Sequence, residues 1–89
     1  MAPVDEDITP LARPLIVEGE DGANHVVNTI GKAARYLTGS KLSHLAGEVS
    51  WQATAAVLEH ASRDKSEYLL KTATEYMEYI CRQENLLRR

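Results

Sequence analysis

Eighty-nine residues suffice for one domain, and a chain of this size buries only about 60–65% of the surface its unfolded form exposes. At 44% hydrophobic and 26% charged, the composition is that of a soluble globular protein. A net charge of −3 and a pI near 5.5 lack the basic face that general binding to nucleic acid or an anionic membrane needs.

The chain opens on "MAPVDEDITP", acidic where the n-region of a signal peptide would be basic, with Pro3, Pro10 and Pro14 interrupting regular structure. Residues 1–12 read as a flexible acidic arm and residues 13–89 as the single domain. "PLIVEG" and "ANHVVN" then read as two strands, closed through Asp21-Gly22 into a β-hairpin. Two strands alone are marginal, so helices are expected to cover one face.

Thr29 is placed to N-cap a short helix running to about Leu37, with Ile30, Ala33, Ala34 and Leu37 at helical spacing and Gly39 at its C-cap. A second helix is expected from near Leu45 to about Ala61. Val49, Ala53, Ala56, Val57 and His60 share one side of it, and Trp51, Ala55 and Leu58 nearly the opposite side. A helix apolar on two sides is usually sandwiched between layers, which makes this one the expected centre of the domain. Asp64 followed by Glu67 resembles a capping box opening the last helix, which should pass Gln83 and fray in "LLRR". The expected fold is therefore α+β, a two-stranded antiparallel hairpin followed by three helices. Its core should gather Ile16, Val26, Leu37, Val49, Ala53, Val57, Leu69, Ala73, Met77 and Ile80.

Chemistry-bearing residues are sparse. His25, His44 and His60 match no metal-ligand spacing, and the one cysteine, Cys81, adds little, so neither metal nor cofactor is expected. "TIGKAA" lacks the further glycines of a phosphate loop, and no nucleophile elbow occurs. Glu48, Glu59, Glu67, Glu75 and Glu78 are scattered as solvating charge. An enzyme is not expected. The lone cysteine allows no internal disulfide, in keeping with a reducing compartment, and no apolar run approaches the ~18 residues of a membrane span. Cytoplasm is the expected location.

The stretch "LSHLAGEVSWQATAAVLEH", residues 42–60, superficially resembles a helix-turn-helix, which would make the protein a DNA-binding regulator. Its would-be recognition helix offers only Gln52 for reading bases, and Gly47 comes too early for the turn. The basic group Lys32, Arg35 and Lys41 belongs to another segment. A third reading is a small-ligand binder using the cleft between hairpin and helices, the ligand being unknown.

"PLIV", "HVVNT", "TIGKAARYL" (through Thr29, Ala33, Ala34 and Leu37), "WQATAAVLEHA" and "LLKTATEY" (through Leu70, Ala73 and Glu75) together resemble the small alphaproteobacterial family called domain of unknown function 982, over about residues 14–76. The family's tryptophan-proline pair is replaced by Thr38-Gly39-Ser40, and its phenylalanine by Leu70. The resemblance implies a hairpin packed on helices and carries over no catalytic residue.

The last helix gives the strongest signal. Leu69, Ala73, Met77, Ile80 and Leu87 gather on one side at about 100° per residue. Tyr68, Thr72, Tyr76, Tyr79 and Leu86 gather on an adjacent side. Together they span roughly 200°, wider than the ~100° one packing layer requires. A tyrosine ring supplies apolar area while its hydroxyl still reaches water. The second side is therefore the expected interface with a protein partner, most simply in a two-fold homodimer; the alternative is that these tyrosines rim the monomer's own core.

Overall fold

The computed structural model describes residues 4–88. In it β1 (Pro10–Glu18) and β2 (Asn24–Thr29) form the antiparallel hairpin, followed by α1 (Ile30–Thr38), α2 (Val49–Asp64) and α3 (Glu67–Gln83). The class is α+β, but the sheet has three strands. The segment Leu87–Arg88, expected to fray, returns from α3 as β3 and pairs with β1, giving the order β2-β1-β3. Asn85, at φ +58°, makes the reversal, and Leu86 is carried back into the core.

The hairpin turns through Gly19–Ala23. Gly22 sits at φ +83°, where glycine is at ease, and the Asp21 carboxylate accepts from the Ala23 N–H at 3.1 Å. The facing of the strands differs from expectation by one residue. Leu11, Leu15, Val17 and Val27 are the buried positions, whereas Ile16 is half-buried and Val26 is 43% exposed. Ile16 and Val26 are cross-strand partners on the outer face. A shift of one residue exchanges the faces of a strand, and in "LIV" and "HVV" adjacent apolar residues leave the choice unmarked.

Residues 4–12 also depart from the expected arm. Val4–Glu6 form a 3-10 turn packed on α1, and residues 10–12 belong to β1. Two backbone bonds dock the segment, Gly31 N–H to the Asp7 carbonyl at 2.8 Å and Ile30 N–H to the Thr9 carbonyl at 2.9 Å. These occupy first-turn N–H groups of α1 that have no acceptor within the helix.

Thr29 caps α1 as expected, accepting from the Lys32 N–H at 3.1 Å. The α2 cap at its C-terminus is Lys65 in the left-handed conformation, and α3 then starts from Ser66, whose hydroxyl accepts from the Leu69 N–H. Ser66, not Asp64, is the cap, because Asp64 is still the last residue of α2.

The middle helix is not the most buried. β1 packs on α3 and β2 on α1, while α2 packs on α1 and α3 at the far side from the sheet. One side of α2 is therefore enough. Thr54, Leu58 and Ala61 are buried at spacings of four and three, while Val49 is 81% exposed, His60 is exposed, and Ala53 and Val57 are half-buried. α3 contributes Ala73, Thr74, Met77, Ile80 and Cys81 to the core, with Leu69 half-buried, and α1 contributes Leu37. Two polar ties fix the layers. The Thr74 hydroxyl accepts from the Ala12 N–H at 2.9 Å while donating to the Leu70 carbonyl, and the Trp51 indole N–H donates to the Leu37 carbonyl at 2.9 Å.

Candidate functional site

The aromatic side chains of α3 stay wet. Tyr68 is 76%, Tyr76 43% and Tyr79 53% exposed, although the same helix buries Ala73, Met77 and Ile80. Residues 68, 72 and 76 are successive fourth positions and residue 79 follows at three, so they run as one stripe along the helix. Thr72 sits half-buried within it and turns its hydroxyl onto the Tyr68 carbonyl at 2.9 Å, which removes that group from competition for an outside partner. Tyr79 accepts from the Gln83 side-chain amide at 2.9 Å.

Beside this stripe, between α2 and α3, lies a groove of about 340 Å³ lined by Ser50, Thr54, Glu75, Tyr76 and Tyr79. Two of its hydroxyls are engaged, that of Thr54 donating to the Ser50 carbonyl at 2.7 Å and that of Tyr79 accepting from Gln83. Aromatic rings and the Glu75 carboxylate line what remains open. Val49 adds an exposed apolar side chain at the start of α2, next in sequence to Ser50. This residue was missed as surface because periodicity alone placed it on the core stripe.

Leu86 does not belong to the stripe. α3 ends at Gln83, so the helical angle that grouped Leu86 with the tyrosines no longer applies, and the side chain is 7% exposed within the core. The expected set is thus reduced to Tyr68, Thr72, Tyr76 and Tyr79, joined by the groove.

Charges flank the face. Lys71 and Glu75 are exposed on α3 and, among the described residues, neither forms an ion pair or a side-chain hydrogen bond. Nearby Glu78 is engaged with Arg13 and Arg82.

The other chemistry-bearing residues do not converge. Among the described residues no three His, Cys, Asp or Glu side chains are grouped to hold a metal. His44 approaches Glu84 at 3.3 Å and His60 is exposed. Cys81 is fully buried, and burial pushes its thiol up to about 12. The segment 42–60 holds a three-residue 3-10 turn, Ser43–Leu45, ahead of α2, where a helix-turn-helix needs a full first helix. No helix among the described residues is long and apolar enough to cross a membrane.

Searches against protein-family models, curated proteins and solved structures find nothing that matches the chain.

Proposed function

We propose that this protein is a small non-enzymatic interaction or regulatory module that self-associates through the tyrosine face of α3. The observation that carries the reading is the exposure of Tyr68, Tyr76 and Tyr79 in one stripe beside an apolar groove. Tyrosines are enriched where surface is buried against a partner, since the ring excludes water and the hydroxyl tolerates it.

A second copy of this chain is the occupant that the charges favour. An antiparallel pairing of two α3 helices about a two-fold axis at Thr72 sets Tyr68 of one copy against Tyr76 of the other. The same axis brings Lys71 of each copy within side-chain reach of Glu75 of the other, giving partners to two groups that have none among the described residues. The small buried fraction expected of an 89-residue domain adds a motive, because a second chain covers apolar surface the monomer leaves wet.

The element order is in keeping with the resemblance to domain of unknown function 982, and membership is proposed on the motifs that suggested it. A cytoplasmic location is proposed on the single cysteine, which allows no internal disulfide. Light scattering tests the function: Tyr76→Glu with Tyr79→Glu should leave a folded monomer where the unaltered chain is a dimer. An unaltered chain that is already monomeric at high concentration removes the proposal.

A further inference from the structure

A second, larger groove lies elsewhere, where the hairpin's turn end meets α1 and the residues after it, and it measures about 480 Å³. That volume falls in the range of small-molecule sites, roughly 300–1,000 Å³. Strand register explains its lining. His25 lies directly opposite Val17, and opposed residues share a face of the sheet, so His25 stands on the inner face one step beyond the last buried pair, Leu15 and Val27. Across from it are Lys32 and Arg35, three residues apart on one flank of α1.

The charges around this groove are unequally engaged. Lys41 bonds Glu18 at 2.7 Å, Glu20 accepts from the Ser40 hydroxyl at 3.0 Å, and Asp21 is occupied by the hairpin turn. The side chains of Lys32 and Arg35 have no hydrogen bond or ion pair among the described residues. An acidic protein thus presents two unengaged cations side by side, at the mouth of this cavity. Tyr36 completes the site. Its hydroxyl donates to the Glu18 carbonyl at 2.6 Å, which fixes the half-buried ring as a flat wall.

We propose that this groove binds a small organic phosphate monoester. The phosphate sits at Lys32 and Arg35, with the His25 imidazole as a further donor, and the ester's flat body lies against Tyr36. An arginine fork with an adjacent ammonium matches the several oxygens of a phosphate. Glu20 and Asp21 at the rim disfavour an extended polyanion, so a single phosphate group suits the groove better than a nucleic-acid backbone. The site shares no residue with the tyrosine face, and either proposal stands without the other.

Phenyl phosphate is the probe, followed by two-dimensional amide NMR at constant ionic strength, with inorganic phosphate and phenol as comparison arms. Saturable shifts should centre on His25, Lys32, Tyr36 and Ser40. Arg35→Gln should weaken binding about tenfold or more, the loss expected of one charge-assisted hydrogen bond, and Lys32→Gln should act in the same direction. Both side chains are exposed and unengaged, so these variants keep the unaltered chain's unfolding midpoint. Absence of saturable shifts, or unchanged affinity in Arg35→Gln, overturns the site. Inorganic phosphate binding as tightly as phenyl phosphate removes Tyr36 from it and overturns the assignment of an ester.

Discussion

The Lys65 ammonium lies 2.9 Å from the Asp7 carboxylate, joining the end of α2 to a segment 58 residues earlier in the chain. Ser62 and Thr9 hydroxyls and the Thr9 N–H donate to the same carboxylate. Burial alone raises the Asp7 pKa, but these four donations together outweigh it and hold the group far below its ordinary value of 3.8. A carboxyl with a depressed native pKa contributes stability that is fully present above its unfolded pKa and lost as pH falls through the native one. Asp7→Asn should therefore lower stability by about 1–3 kcal/mol at neutral pH. In urea titrations, the gap between Asp7→Asn and the unaltered chain should close as pH is lowered below about 4.

Gly31 tests the docking of the same segment. A β-carbon there would stand 2.8 Å from the carbonyl oxygens of both Asp5 and Asp7, which are backbone atoms with little freedom to yield. Glycine to alanine inside a helix ordinarily gains up to about 1 kcal/mol. Here Gly31→Ala should instead cost about 1–3 kcal/mol, because the turn at Val4–Glu6 must lift away. A rise in the thermal midpoint would show that the segment is not docked as described.

Cys81 should be silent in the native protein. Its raised pKa means the folded chain keeps the proton that an unfolded chain releases near 9.0. The resulting stability is whole below that pH and is lost as pH rises towards 12. A thiol reagent at neutral pH should label it only at the rate of unfolding. Cys81→Ser should destabilise by about 1–3 kcal/mol, since a buried hydroxyl replaces an apolar sulfur.

Thr72 tests the proposed two-fold register. With the axis at this residue, Thr72→Cys places two thiols face to face, at the Cα separation of about 4.4–6.8 Å that a disulfide accepts. Mild oxidation should convert the variant to a covalent dimer, because Cys81 is buried and does not compete. The same substitution at Lys71 should cross-link poorly.

Much of the architecture was legible in local chemistry. Thr29 announces α1 because a hydroxyl before an apolar-periodic run satisfies a free N–H, and Asp21-Gly22 announces the turn because glycine accepts a positive φ. What misled was low contrast. "LIV" and "HVV" put apolar residues on both faces of a strand, so the inner face of the sheet was misread by one residue. Alanines on nearly every side of α2 left its buried side to be decided by partners, and those partners are α1 and α3, not the sheet. β3 is two residues long and carries no period of its own; it exists because Glu18 N–H finds the Leu86 carbonyl at 2.8 Å. The tyrosine stripe was legible because its width exceeded one layer, but Leu86 was assigned to it by extending a helix past its end. A cleft between hairpin and helices was legible, and Lys32 and Arg35 as a basic group, but not their meeting with His25, which depends on strand register.

Sedimentation equilibrium of the unaltered chain beside Tyr76→Glu/Tyr79→Glu tests self-association most directly. The unaltered chain should approach twice its 9.9 kDa mass as concentration rises, while the double variant stays at 9.9 kDa with an unchanged helical signal. Mass that remains at 9.9 kDa throughout for the unaltered chain, or a double variant that still doubles, contradicts an interface built on the tyrosine face of α3.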